Sequence, residues 1–169
     1  MPPRTAPPIA IIEAAAPWSV RGFDWDVTDP VVVRVMRGRQ FLSLDEASQH
    51  SLFRSDFTVA KESDRMGFRL SGTRLTLHDQ RELISSGVCA GTVQLPPHGD
   101  PIVLMADCAT AGGYARIAHV ATVDLPLVAQ TRPGGRLRLA EISVGQAQSL
   151  HRAREALLRQ IQCGIRLHL

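Results

Sequence analysis

Two stretches of the chain carry side chains able to do chemistry on a small polar molecule. One is "QLPPHGDPIVLMADCATAGGY", Gln94 to Tyr114, and the other is "SDRMGFRL", Ser63 to Leu70. Gln94 offers a neutral amide that both donates and accepts; on an alternating strand it lies on the opposite face from Val93 and Leu95, where it can point into a barrel mouth. Asp107 follows the apolar run "IVLMA" and offers a carboxylate. Thr110 and Tyr114, the chain's only tyrosine, offer hydroxyls, while Gly112 and Gly113 let the backbone turn its N–H groups toward a carbonyl or an anion. A purely structural reading stands beside this one: Asp107 caps the loop, the glycines bend it and Tyr114 fills core. In the other stretch Asp64, Arg65 and Arg69 can form a charge network, with Arg65 able to clamp a carboxylate in a bidentate fork; surface ion pairing along a strand is the alternative.

Other chemistries find less support. Cys108 adjoins Asp107, but neither His98 nor His119 is evidently placed as its base, so it reads as core filler. Cys89, Cys108 and Cys163 are odd in number and far apart, without a C-x-x-C pair. This argues against a disulfide framework and a cysteine zinc site, and points to a reducing cytoplasm. The six histidines show no H-x-x-x-H spacing, so no metal is expected. The 19 Lys and Arg against 16 Asp and Glu leave a net charge of +3. These basic residues are scattered, and the densest group, Arg132, Arg136 and Arg138, suits the solvent face of a strand after "RPGG"; no nucleic-acid partner is expected. No apolar run approaches the roughly 18 residues of a membrane span, so no membrane partner is expected either.

The elements that must position these residues follow from the pattern. A chain of 169 residues suits one domain with tails. Residues 1–29, with Pro2, Pro3, Pro7, Pro8 and Pro17, read as a proline-rich arm or linker, whose Trp18, Phe23 and Trp25 should dock on the domain or on a partner. "VVVRVM" reads as a strand. Ser43 and Glu46 form a capping-box pattern for a short helix running to about Arg54. The runs "FTVA", "GFRL", "TRLTL", "GTVQL", "IVLMA", "ARIAHVATV" and "RLRLAEI" read as strands, "DLPLVAQ" as one or two helical turns, and Pro97 to Asp100 as the tight turn of a hairpin. Many short strands at close spacing indicate an antiparallel sandwich or barrel over residues 30–142. Ser143 and Gln146 make a second capping-box pattern, opening a C-terminal helix within 143–169 that should run over about 144–162, with Gly164 as its stop.

Taken in order, "SDRMGFRLSG", "ELISSGVCAGTVQLPPHGDPIVLMAD", "TAGGYARIAHV" and "DLPLVAQTRPGGRLRL" make the chain, from about Val33 to Ile142, resemble the biotin-dependent carboxyltransferase family, also called the allophanate hydrolase subunit two family. Its bacterial members include the C-type subunit of the ATP-dependent 5-oxoprolinase. The resemblance implies a mainly β fold, a cyclophilin-like antiparallel β-barrel with a short helix near the start and a C-terminal helix, and it matches the C-terminal half of a member. It further implies a half-length subunit of an ATP-dependent amidohydrolase complex of the 5-oxoprolinase or allophanate hydrolase type, inactive alone. ATP would act through the complex, beside a cyclophilin-like partner subunit or further copies of the chain. Biotin would enter only on another chain, because no A-M-K-M pattern occurs here. By the same resemblance Asp107, Gln94 and Tyr114 are catalytic, and Arg65, Arg69, Thr110, Gly112 and Gly113 bind substrate.

Three departures from the family pattern matter. Cys108 stands for an arginine, Ser86 for a glutamate, and Ala109 with Ala111 for polar residues of the glycine loop. The first removes a fixed positive charge and the second a candidate base. They favour the alternative reading, a non-catalytic binding or regulatory barrel that docks a partner subunit.

Overall fold

In "VVVRVMR" every second residue turns inward as far as Val35: Val31, Val33 and Val35 are buried, while Val32 between them faces outward. This period of two builds strand β1 (Val31–Arg37) and the strands that follow. The computed structural model describes residues 29–79 and 83–168; the expected arm, with Trp18, Phe23 and Trp25, lies outside the described residues but for Asp29. After β1 come α1 (Glu46–Arg54), β2 (Asp56–Val59), β3 (Gly67–Ser71), β4 (Ser86–Gly87), β5 (Thr92–Leu95), β6 (Ile102–Leu104), β7 (Ala111–Gly112), β8 (Ala115–Val120), α2 (Leu125–Gln130), β9 (Arg136–Glu141) and α3 (Val144–His168). Single 3₁₀ turns occupy Phe41–Ser43 and Thr122–Asp124.

Seven strands close into a barrel in the order β1-β8-β5-β6-β3-β2-β9, and β4 pairs with β7 as a separate ribbon. The mainly β barrel with an early short helix and a C-terminal helix is as expected. One seam departs from the antiparallel rule: β1 runs parallel to β9, with Val31 opposite Leu137 and Val35 opposite Glu141. An odd number of strands cannot alternate direction all the way round a closed barrel, so at least one parallel neighbour is obligatory. Val33, Val35, Phe57, Leu70, Val93, Val103, Ile117, Leu137 and Leu139 fill the core and are sealed from solvent. Burying each such large side chain contributes about 1.5–3 kcal/mol.

The predicted strand "TRLTL" does not form. Its backbone is shared among three neighbours: Leu75 N–H donates to the Gly99 carbonyl at 2.9 Å, Thr76 N–H to Ser48 Oγ at 2.8 Å, and the Thr76 carbonyl accepts from Asp45 N–H at 3.0 Å. No ladder can grow from bonds so divided, and only a single bridge joins Leu77 to Leu44. That bridge also overrides the Ser43–Glu46 pattern. The Ser43 carbonyl accepts from His78 N–H, and the true N-cap of α1 is Asp45, whose carboxylate accepts from Ser48 N–H at 2.7 Å.

The second capping box forms as written in the sequence. Ser143 N–H donates to Gln146 Oε1 at 2.8 Å and Gln146 N–H to Ser143 Oγ at 3.2 Å. Gly164, however, does not stop α3. It lacks the positive φ of a helix-ending glycine, and the helix continues through it to His168. Arg154 ties α3 to the preceding turn by donating to the Val123 carbonyl at 3.0 Å. In that turn Asp124, only 1% exposed, accepts from Arg34 N–H and Arg34 Nε, each at 2.8 Å, and so fastens the start of α2 to β1. No helix among the described residues is long and apolar enough to cross a membrane.

Candidate functional site

Strand β5 is buried at all four positions, which a barrel strand achieves only if something covers its outer face. Val93 and Leu95 belong to the core; Gln94, on the other face, is only 5% exposed. Its cover is the β4–β7 ribbon, where Ser86 pairs with Gly112 and Gly87 with Ala111. Gly112 approaches so closely that a methyl group there would lie 2.5 Å from Gln94 Nε2. Gln94 thus sits beneath the ribbon rather than in an open barrel mouth. A β-bulge between Val93 and Gln94, opposite β8, accompanies this placement. The Gln94 Nε2 group is buried and has no hydrogen-bond partner. An unpaired buried donor of this kind costs about 1–3 kcal/mol.

The ribbon leads directly into a cleft of about 450 Å³ whose walls include Gly113, Tyr114, Leu77, Leu95, Pro97 and Gln40. Tyr114 is 48% exposed, so it lines this space instead of filling core. A neighbouring space of about 420 Å³ shares Gln40, Leu83 and Tyr114 and adds Arg39, Ser85, Ser86 and Arg116. Gln40 joins the walls: its N–H donates to the Arg116 carbonyl at 3.0 Å and its Oε1 accepts from Arg116 N–H at 3.1 Å. The Arg116 side chain in turn donates through Nη1 to the Gly87 carbonyl at 3.1 Å, holding the ribbon.

Asp107 and Arg65 form a separate unit. Arg65 Nε meets Asp107 Oδ2 at 3.0 Å and Nη2 meets Oδ1 at 3.3 Å, so both carboxylate oxygens are engaged. The Arg65 side chain is 83% exposed. Asp64 takes no part in this pair; its carboxylate accepts from Met66 N–H at 2.8 Å and Gly67 N–H at 3.1 Å, closing the turn into β3. The expected Asp64–Arg65–Arg69 network therefore does not form. The Arg69 side chain has no ion-pair partner among the described residues, and its backbone N–H donates to Ser63 Oγ at 3.1 Å. Thr110 is exposed and contributes its carbonyl to Val88 N–H. None of Arg65, Arg69, Asp107 or Thr110 lines either cleft.

The structure thus brings Gln94, Gly112, Gly113 and Tyr114 together and leaves the other predicted site residues elsewhere. It adds Arg39 and Gln40, from the segment that follows β1, and Arg116, the second residue of β8, none of which the sequence marked as a site residue. His119 lies apart from these, its Nδ1 3.4 Å from Thr92 Oγ1, and burial holds its imidazole below the ordinary histidine pKa. No cluster of metal-binding side chains occurs among the described residues.

The sequence matches the family described as "Carboxyltransferase domain, subdomain A and B" over residues 6–141. It is 38% identical over 131 residues to the C-type subunit of 5-oxoprolinase from Haemophilus influenzae, covering 78% of this chain and 42% of that protein. Against the corresponding 5-oxoprolinase subunit of Escherichia coli K12 the identity is 36% over 129 residues, covering 76% of this chain and 42% of that one. In fold it is similar to the urea amidolyase of Kluyveromyces lactis, with a TM-score of 0.71 at 21% identity over 76% of this chain and 8% of that one. The chain spans 42% of the length of the curated relatives it matches. With the match running through the whole barrel and both site stretches, the chain belongs to the carboxyltransferase-domain family, subdomain A and B.

Proposed function

We propose that the chain is a subunit of a 5-oxoprolinase-type complex that opens a cyclic amide, with ATP consumed by the complex. The observation that carries this reading is the buried Gln94 amide. Its unpaired Nε2 lies under a two-residue ribbon that opens onto the Tyr114 cleft. A donor kept unpaired at a cost of about 1–3 kcal/mol has a use when a substrate supplies the acceptor. Here that acceptor is the lactam carbonyl, reached when the ribbon lifts. Gly112 and Gly113 N–H groups stabilise charge developing on the carbonyl oxygen, and Tyr114 donates from the cleft wall. Asp107, the acid or base that the resemblance implies, stands on Arg65 outside both clefts and meets the substrate only in the assembled complex, so Arg65 is a positioning residue rather than a substrate clamp. A cyclophilin-like partner subunit completes the site in the cytoplasm, and biotin takes part only if another chain brings it.

One observation favours the second reading, a binding or regulatory barrel. Both oxygens of Asp107 are already occupied by Arg65, and the resemblance implies an arginine where Cys108 stands beside it and a glutamate where Ser86 stands in β4. The two readings separate in one experiment. The complex purified through a tag on this chain is assayed for 5-oxoproline-dependent ATP hydrolysis, with the isolated chain and a Gln94→Leu complex alongside. The catalytic reading expects turnover by the complex, none by the isolated chain, and loss of at least about a hundredfold in the variant, in line with removal of a transition-state donor. Full turnover by an assembled Gln94→Leu complex would sink it.

A further inference from the structure

Arg39 and Arg116 line the same space beside Tyr114, and neither meets a carboxylate among the described residues. Arg116 Nη1 donates to the Gly87 carbonyl, and Arg39 is exposed. Elsewhere on the barrel, Arg34 faces Asp124, Arg37 faces Glu141, Arg65 faces Asp107, and Arg136 and Arg138 face Asp56. The fold holds the two unpaired segments close by specific means. Gly38 N–H donates to the Ile117 carbonyl at 2.9 Å and Gln40 N–H to the Arg116 carbonyl at 3.0 Å. Any side chain at Gly38 would run into that same Arg116 carbonyl, so the position admits only glycine. Two guanidinium groups on the wall of one space give it an excess of positive charge, which an anion there offsets.

We propose that Arg39 and Arg116 hold the carboxylate of a small ring-bearing acid whose apolar body lies along Tyr114 and Leu83. Two guanidinium groups suit the planar carboxylate, and the apolar Leu83, Ile84 and Tyr114 beside them suit a compact carbon ring better than a fully hydrated inorganic anion. The space of about 420 Å³ shares Gln40, Leu83 and Tyr114 with the larger cleft, which Gly113 also lines, so an acid anchored here lies next to that cleft. The carboxylate clamp stands without the amide-opening reading; only the lactam identity of the ring rests on it.

Isothermal titration of the full chain with four probes tests the assignment: L-5-oxoproline, its neutral carboxamide, cyclopentanecarboxylate and inorganic phosphate. Both acids should bind, the carboxamide about tenfold more weakly, and phosphate not measurably. Arg39→Gln, shown to be folded by an unchanged melting temperature, should weaken both acids about fivefold or more, Arg39→Lys should weaken them less, and added salt should weaken them too. The clamp is overturned if neither acid binds, if carboxamide or phosphate binds as well as the acids, or if Arg39→Gln leaves their affinity unchanged. Equal affinity for the two acids supports the clamp and tells against the lactam reading. Binding of 5-oxoproline that ignores Arg39 leaves the lactam reading in place and removes the clamp.

Discussion

Gln94 and Gly112 face each other across the β5–ribbon contact, and the amide nitrogen enclosed between them has no acceptor. An apolar side chain of similar size has no donor to strand there. Gln94→Leu is therefore expected to stabilise the fold by about 1 kcal/mol, read as a higher midpoint in urea at unchanged slope. A lower midpoint would mean that the amide is satisfied in solution after all.

The same contact leaves no room for a side chain at Gly112 unless the Gln94 amide moves. In Gly112→Ala the new methyl would lie 2.5 Å from Gln94 Nε2, so the ribbon or the amide must shift, at a cost of about 1–3 kcal/mol. Shortening Gln94 to alanine in the same protein should recover part of that loss. A double-mutant cycle should accordingly show coupling of about 0.5 kcal/mol or more, and strict additivity would place the strain elsewhere.

Asp124 is the most deeply buried carboxylate described, and Arg34 supplies hydrogen bonds from both its backbone and its side chain. Asp124→Ala leaves the Arg34 N–H and guanidinium without their acceptor and frees the start of α2. The expected loss is about 3 kcal/mol, measured by chemical denaturation. A loss below about 1 kcal/mol would mean that water replaces the carboxylate without difficulty.

Arg65 and Asp107 give the opposite expectation. Their fork is complete but lies largely in solvent, so Arg65→Ala should change stability by less than about 1 kcal/mol. A larger effect in thermal melts would show that the pair braces the Met105–Thr110 loop.

His119 supplies a pH test. Burial lowers its folded-state pKa, so the unfolded chain binds the proton more readily than the folded one. Its contribution to stability is whole above the ordinary histidine pKa and is lost as the pH falls below it. Between about pH 7.5 and 5.5 the melting temperature of the wild type should fall further than that of His119→Gln, and equal falls would remove His119 as the cause.

The barrel was legible in "VVVRVMR" from its β-branched run and in "RLRLAE" from its alternation, where one buried face leaves its period in the sequence. The Ser143–Gln146 box was legible because both of its bonds are local. Ser43 misled for the converse reason: its carbonyl and its neighbour Leu44 are claimed by His78 and Leu77, far along the chain, and the cap passes to Asp45. In the site, Gly112 and Tyr114 were legible as types suited to a loop beside a cleft. The partner of Arg65 was not, since Asp64 is nearer in sequence and Asp107 is nearer in space. Arg39 and Arg116 become neighbours only through the β1–β8 register, which pairs Arg37 with Ala118 and is not written in either segment alone.

The parallel seam between β1 and β9 has a mechanical consequence. The chain enters the barrel at the Val31 end of this seam and leaves it from the Glu141 end, on the opposite rim. Tension applied through the flanking segments therefore pulls the two strands past each other lengthwise, loading their cross-links all at once in shear instead of peeling them one by one.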